Sequence, residues 1–303
     1  MSRGLFVSTV EIVHERPPGV RLLAGRRPAR HNLAMSAVVL VIAGFALFSI
    51  ARNHRFQWGV VSTYLTTGTV LRGLLTTFWL TFLVVALGLV GGVLVALLRR
   101  SRVPVISRLA WLFTWFFRSV PMLVQIIFWF NFAALYPTLS FGIPGGPTFV
   151  SAPTNSVISP LVAVIIGFAL HESAFMGEII RAGLNSVPPG QWQAARSLGM
   201  TEGRLLRRIV LPQVIRVVLP TIGNEAISVM KETSLISVIA VTDLLYSVQL
   251  IYSSNFQTVP LLIVATIWYL MFTIVLGLLQ WQLERRFGRS VRVAAPASRG
   301  AAK

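Results

Sequence analysis

The sequence predicts an all-α integral membrane protein with about six transmembrane helices. Its 303 residues are 55% hydrophobic and only 12% charged, whereas a soluble domain is about 25% charged. Six apolar segments approach or exceed the roughly 20 residues that a helix needs to cross a bilayer. These segments are Leu33–Ile50, Gly73–Leu98, Leu109–Leu135, Pro160–Ile180, Val214–Val229 and Leu261–Leu283.

The basic residues between these segments predict an orientation in the membrane. With six crossings, 22 Lys and Arg residues fall on one side and two on the other. Because cytoplasmic loops are enriched in Lys and Arg, we expect a multi-pass protein of the bacterial inner membrane with both termini in the cytoplasm. The net charge of +18 would also fit a nucleic-acid-binding protein. The basic residues are divided into blocks between the apolar segments, and this placement favours a membrane protein over a nucleic-acid-binding protein. We therefore expect no nucleic acid partner.

Additional segments flank the central membrane region. Residues 1–32 form a basic tail, and 33–51 form a helix that is expected to stay as an uncleaved anchor, because its apolar stretch exceeds a signal-peptide core. The Gly- and Pro-rich segment 137–159 is expected to be an external loop. Residues 287–303 are low in complexity, and we expect a disordered cytoplasmic tail there.

Residue types exclude several kinds of chemistry. The chain has no cysteine, so disulfides, thiolate metal sites and cysteine nucleophiles are absent. A phosphate-binding loop requires Gly-Lys-Ser/Thr, but Lys231 follows Met and Lys303 follows Ala. The four histidines are scattered along the chain. We therefore expect no catalytic residue, no metal site and no bound cofactor, and a membrane enzyme is the least supported function.

The most informative segment is the polar stretch 188–213. Its pattern predicts two short helices joined at Gly199: Trp192, Ala195 and Leu198 share a face of the first, and Pro212 ends the second. The surrounding arginines suit acidic groups on a soluble partner. Composition alone favours an ordinary basic cytoplasmic loop, so the spacing of the residues has to decide.

That spacing resembles the cytoplasmic loop shared by permease subunits of binding-protein-dependent ABC importers. In that family Glu-Ala-Ala is followed after three residues by Gly, and after nine more by Ile-x-Leu-Pro. The matching residues here are Gln193, Ala194, Ala195, Gly199, Ile209, Leu211 and Pro212. The resemblance implies that this loop couples the chain to a separate ATPase. The one departure is Gln193 in place of Glu, which removes a charge but keeps an acceptor oxygen.

Four further stretches resemble the polar amino acid permeases of the histidine, glutamine and glutamate type. They begin at Arg118, Ser173, Leu219 and Lys231 and read RSVPMLVQ, SAFMGEIIRAG, LPTIGN and KETSL. The resemblance covers residues 69–286 and implies a five-helix type I ABC importer core, with the coupling loop at 188–213. The helix at 33–51 is then an addition to that core.

The resemblance also implies an assembly. Its members are ABC ATPase subunits, a second permease that is either a copy or a paralogue, an external solute-binding protein and membrane lipid. ATP and Mg²⁺ are expected on the partner ATPase, since this chain lacks the loop that would bind them. A self-contained secondary transporter or channel for small polar solutes is the alternative function. It explains the spans but not the spacing of the loop.

Ionisable groups within spans are candidates for functional sites, because they are costly to place in a membrane. Glu172 lies near the middle of the fourth span and is a candidate for the substrate pathway; a buried partner such as Arg118 or Lys231 is the other interpretation. Asn224, Ser228 and Lys231 form a polar stripe on the fifth span and are pathway candidates as well.

Glu178 lies near the inner end of the fourth span and three residues before Arg181. Residues at this spacing are neighbours on a helix, so an intrahelical ion pair with a structural role is expected.

Overall fold

The structure is a computed structural model that describes residues 29–143 and 147–287. The chain divides into two compact units after Phe56. The first unit contains helix α1 (Ala29–Arg52) and a 3₁₀ turn, His54–Phe56. Side chains 34–52 of α1 are all exposed, as suits a helix surrounded by lipid. Most of the N-terminal tail and the C-terminal tail expected to be disordered lie outside the described residues.

The second unit contains the remaining elements. Its helices are α2 (Trp58–Leu65), α3 (Gly68–Arg99), α4 (Pro104–Ser119), α5 (Met122–Phe130), α6 (Phe132–Leu135), α7 (Thr154–Val157), α8 (Pro160–Asn185), α9 (Pro189–Ser197), α10 (Glu202–Leu205), α11 (Leu211–Glu232), α12 (Leu244–Asn255) and α13 (Thr258–Phe287). A π-helical turn, Leu206–Val210, precedes α11, and a 3₁₀ segment, Thr233–Ile239, follows it. The strands are β1 (Thr138–Gly142) and β2 (Thr148–Pro153).

The predicted all-α membrane fold is confirmed. In the described part of the chain, four helices are long and apolar enough to cross a bilayer, and the count reaches six if each of two bent pairs is one span. The first pair, α4 and α5, bends by 100° at the predicted third span. Pro121 causes this break, because it lacks an N–H and forces Val120 into an extended conformation (ψ 129°). The predicted third span, Leu109–Leu135, is therefore a bent pair of helices and not one straight helix.

Helices α3 and α8 pack closely through glycines of α3. A Cβ added at Gly88 would lie 2.5 Å from Cβ of Glu172, and one at Gly92 would lie 2.5 Å from Cβ of Met176. Side chains are excluded at both positions, so the two backbones approach each other more closely than side-chain packing permits. This contact holds Glu172 against the interior of the bundle.

The segment 137–159 is not a simple loop. Strands β1 and β2 pair antiparallel within it, from Thr138 opposite Pro153 to Gly142 opposite Thr148. Apolar and β-branched residues in both strands favour this pairing. The glycines and prolines alone had predicted a loop.

A buried carboxylate fixes the start of α12. Asp243 is fully buried, and its Oδ1 accepts a hydrogen bond of 2.7 Å from the backbone N–H of Tyr246. Its Oδ2 accepts a 3.3 Å hydrogen bond from the hydroxyl of Tyr269 in α13. The next backbone N–H, of Leu244, donates to Oγ1 of Thr77 in α3 at 3.1 Å. These bonds join α3, α12 and α13 at one point.

Candidate functional site

The cytoplasmic loop consists of two helical segments that meet at a glycine. Helix α9 ends with Gly199 in the left-handed conformation (φ +70°). The N–H of Gly199 donates to the carbonyl of Arg196 at 2.9 Å, and the N–H of Met200 donates to the carbonyl of Ala195 at 3.1 Å. This pair of bonds is a Schellman motif, in which glycine avoids the steric cost of the left-handed turn. The fixed spacing between Ala195 and Gly199 therefore has a structural reason.

Both segments are anchored in a hydrophobic cluster at the ends of α8 and α11. Ala195 of α9 is 2% exposed, Leu205 of α10 is fully buried, and both belong to a cluster with Val187, Val214 and Val218. A larger side chain at Ala195 would force α9 away from this cluster. The loop is thus packed on the membrane helices, and a force on it reaches α8 and α11 directly.

Polar contacts strengthen this attachment. Nε2 of Gln213 donates to Oε1 of Gln191 at 2.6 Å, which ties α11 to α9. The guanidinium of Arg100, at the end of α3, lies 5.3 Å from the centre of the Trp192 ring.

An exposed ion pair crosses the glycine junction. Nε of Arg196 donates to Oε1 of Glu202 at 2.7 Å, joining α9 to α10. This donation by Arg196 lowers the pKa of the Glu202 carboxyl group.

The opposite face of the loop is exposed. Gln193 and Ala194 are exposed, and Leu198 has 81% of its surface accessible. Leu198 therefore does not share the buried face of Ala195 as the spacing predicted. Gly203, Arg204, Arg207 and Arg208 line an open cleft of about 530 Å³. None of the three arginines pairs with a carboxylate in the described part of the chain. Ile209 is half-buried, while Leu211 and Pro212 are exposed where α11 begins. Pro212 therefore does not end the second helix as expected, because a proline in the first turn of a helix lacks only an N–H that has no intrahelical partner.

Glu172 lies in a buried cluster of polar groups. It is 1% exposed, and its Oε2 has no hydrogen-bond partner among the described residues. Ligand atoms of Glu172, His171 and Glu232 all lie within 4.8 Å of one another. No described ion pair joins Glu172 to Arg118 or Lys231. The cluster offers two carboxylates and an imidazole, so it can accept a cation.

The sequence pattern does not indicate this cluster. It marks Glu172 but not Glu232, and His171 is one of four scattered histidines. The 3₁₀ segment after α11 and the packing of α11 beside α8 bring Glu232 to Glu172 across 60 positions of the chain. The signal in the sequence was the stretch KETSL, which begins at Lys231, contains Glu232 and resembles a stretch of the polar amino acid permeases.

A second group of polar residues lines a cleft of about 410 Å³ between α4, α8 and α11. Arg118, Phe175, Thr221 and Glu225 line it. The guanidinium carbon of Arg118 lies 5.0 Å from the centre of the Phe175 ring, and Arg118 forms no ion pair with a described residue. The cleft therefore presents a cation and a carboxylate to the same space.

The side chain of His171 is held by a neighbouring amide. Nε2 of Gln125 lies 3.0 Å from Nδ1 of His171, and it also donates to the carbonyl oxygens of Phe117 and Val120. These two carbonyls precede Pro121 and have lost helical partners at the break between α4 and α5. Gln125 thus supplies hydrogen-bond donors to the two carbonyl oxygens at the break, and its amide positions His171 beside Glu172.

The predicted polar stripe on α11 is exposed. Asn224, Ser228 and Lys231 point away from the packed core of this chain. A polar stripe on a membrane helix is costly against lipid, so this face requires water or another protein.

Glu178 and Arg181 form an ion pair of 2.6 Å near the inner end of α8. Arg99 of α3 is 3.6 Å from the same carboxylate. The carboxylate therefore joins α3 to α8 close to the point where the loop is attached.

Known proteins are similar to this chain over most of its length. A family model described as the binding-protein-dependent transport system inner membrane component matches residues 88–289. The arginine transport system permease protein ArgU of Corynebacterium glutamicum is 37% identical over 266 residues, which cover 86% of this chain and 82% of that protein. The probable amino-acid permease protein YxeN of Bacillus subtilis is 33% identical and covers 74% of this chain and 93% of its own length.

A solved structure has the same fold. One chain from the crystal structure of an amino acid ABC transporter with histidines superposes with a TM-score of 0.63. It is 34% identical to this chain, and the match covers 74% of this chain and 97% of that one.

Proposed function

The chain belongs to the family of binding-protein-dependent transport system inner membrane components, and we propose that the amino acid it carries is cationic, of the arginine class. As a family member it is the permease subunit of an ATP-driven amino acid importer and a multi-pass protein of the bacterial inner membrane. The arginine permease that is 37% identical to it supports the choice of substrate.

The observation that carries this proposal is the buried carboxylate of Glu172. Its Oε2 is unpaired, and Glu232 adds a second carboxylate to the same cluster. An unpaired carboxylate in a low-dielectric interior is costly, and a guanidinium or ammonium group would compensate it. Arg118 in the adjoining cleft suits the α-carboxylate of the same substrate, and Glu225 suits its α-ammonium group.

The exposed polar stripe on α11 is evidence for a second permease subunit in the assembly. Asn224, Ser228 and Lys231 would line a central pathway between two permeases, whether the second is a copy or a paralogue. An external binding protein would deliver the substrate to this pathway.

The cytoplasmic loop supports docking of an ATPase. The exposed face around Gln193, Ala194 and Leu198 would enter a groove of the ATPase, with Arg204, Arg207 and Arg208 against acidic residues at its rim. ATP and Mg²⁺ would bind to that partner. This arrangement requires both chain termini in the cytoplasm, as the distribution of basic residues favours.

Transport in vesicles distinguishes this function from a secondary transporter. Proteoliposomes with the permease alone should take up no arginine, and uptake should require the ATPase and ATP. Uptake that persists without the ATPase would contradict ATP-driven coupling.

Binding of arginine to the purified permease–ATPase complex tests the role of Glu172. Without the binding protein, any specificity measured belongs to the permease. Glu172→Gln removes one charge-assisted hydrogen bond, worth about 1.5–3 kcal/mol, so arginine affinity should fall at least about tenfold. Citrulline, the neutral isostere of arginine, should bind both forms with similar affinity.

Glu284→Gln is the matched control, because Glu284 is exposed at the end of α13. Its arginine affinity should equal that of the native complex. Equal arginine affinity in Glu172→Gln and Glu284→Gln would exclude Glu172 from the site.

A further inference from the structure

The β1–β2 hairpin has one apolar and one polar face. Phe141 pairs with Val150, and Ser140 pairs with Ser151. Neighbouring pairs in a hairpin point to opposite faces, so the two apolar side chains share one face and the two serines share the other. Phe141 is 76% exposed and Val150 is 64% exposed. The apolar face is thus uncovered by the residues that the structure describes.

A row of aromatic residues starts at α5 and leads along the chain to the beginning of the hairpin. The rings of Phe128 and Phe132 lie 6.0 Å apart, and those of Phe132 and Tyr136 lie 5.1 Å apart. This row runs from the end of a membrane helix to the first residues before β1. Aromatic residues are enriched at both membrane–water interfaces.

The whole segment lacks charge. Residues 136–159 contain no Lys, Arg, His, Asp or Glu. Docking surfaces for soluble proteins have a polar rim, and charged groups there fix the orientation of the partner. An isolated two-stranded hairpin is marginally stable in water, so this one requires a cover for its apolar face.

We propose that the apolar face of the hairpin lies in the boundary between headgroups and acyl chains of the outer leaflet, with its serine face toward water. The hairpin then anchors the connection between α5 and α8 in lipid. This placement goes beyond the transport function, and its assignment to the outer leaflet depends on the orientation proposed above.

The absence of cysteine in the chain makes the test direct. Phe141→Cys and Ser140→Cys are adjacent positions on opposite faces, and Val150→Cys and Ser151→Cys are a second pair. Each variant is spin-labelled and reconstituted with the ATPase in vesicles of phosphatidylethanolamine and phosphatidylglycerol. Collision with oxygen reports lipid, and collision with a water-soluble nickel chelate reports water.

Labels at 141 and 150 should collide more with oxygen, and labels at 140 and 151 more with the nickel chelate. Equal exposure to the nickel chelate on both faces would overturn the proposal. Protection from the chelate at 141 that requires added arginine-loaded binding protein would also overturn it, because the cover would then be a protein.

The side of the membrane is tested separately. A membrane-impermeant thiol reagent should label Ser140→Cys from outside intact spheroplasts. Labelling only after permeabilisation would overturn the outer-leaflet assignment and the proposed orientation, while the spin-label ratio would still decide whether lipid covers the face.

Discussion

Substitution of Gly92 by Ala tests the close contact between α3 and α8. A Cβ at this position would lie 2.5 Å from Cβ of Met176 and 2.8 Å from the backbone nitrogen of Gly177, whereas ordinary contact begins at 3.4 Å. Neither atom is the end of a flexible side chain, so the helices must separate locally by the difference, about 0.9 Å. The same separation would move the backbone that carries Glu172.

The expected loss of stability follows from two opposing effects. Overpacking a close-packed interior costs about 1–3 kcal/mol. Alanine is favoured over glycine inside a helix by about 1 kcal/mol. We therefore expect Gly92→Ala to lower the free energy of unfolding by up to about 2 kcal/mol.

Two other glycines provide matched controls. A Cβ at Gly167 in α8 would have its nearest neighbour at 3.5 Å, and one at Gly277 in α13 would have none within 4 Å. Both Ala variants should be as stable as the native chain or more so, because only the helix preference acts. Thermal unfolding of the purified permease–ATPase complex in detergent measures all three. The packing argument is refuted if Gly92→Ala melts at the same temperature as Gly277→Ala.

Three further substitutions probe other parts of the chain. Gly199→Ala should cost about 1–2 kcal/mol through the left-handed turn and lower ATP-driven uptake, whereas uptake equal to native would contradict the loop's role in coupling. Asp243→Ala removes the cap of Tyr246 and should cost about 0.5–2 kcal/mol in thermal stability; no change in melting would show that the cap is dispensable. Glu178→Gln breaks a half-buried pair with Arg181 and should lower thermal stability at low salt more than at high salt, and a salt-independent loss would point to packing instead.

Local signals in the sequence were sufficient for the first helix of the cytoplasmic loop. The spacing of Ala195 and Gly199 predicted a helix that ends at a glycine, and the structure forms it. The end expected at Pro212 was wrong, because α10 continues through the π-helical turn into α11. A Schellman motif depends on six consecutive residues, so it can be recognised without knowledge of the rest of the chain.

Local signals misled at two other places. Hydropathy made Leu109–Leu135 one span, because average hydropathy is insensitive to a single proline, yet Pro121 bends the chain by 100°. Gly and Pro between 142 and 147 predicted a loop, although the segments on either side of them pair as β1 and β2. In both cases the prediction followed the average composition of a segment and missed the backbone geometry of a few residues.

The candidate substrate site depended on contacts between distant parts of the chain. The sequence singled out Glu172 because a carboxylate in an apolar span is costly. It could not join Glu172 to Glu232, because that contact depends on how α11 lies against α8 and on the 3₁₀ segment that follows α11. The exposure of Asn224, Ser228 and Lys231 could not be predicted either. Helical periodicity shows that these residues share a face, but it does not show whether that face packs against another helix.

The sequence by itself determined the membrane class, the set of apolar spans, the orientation signal and the permease family, because hydropathy, charge placement and motif spacing are properties of short segments. The tertiary structure decided which glycines of α3 admit the backbone of α8, where the third span breaks and which charges meet in the interior. Those outcomes depend on helix packing, and packing joins residues that no local pattern connects.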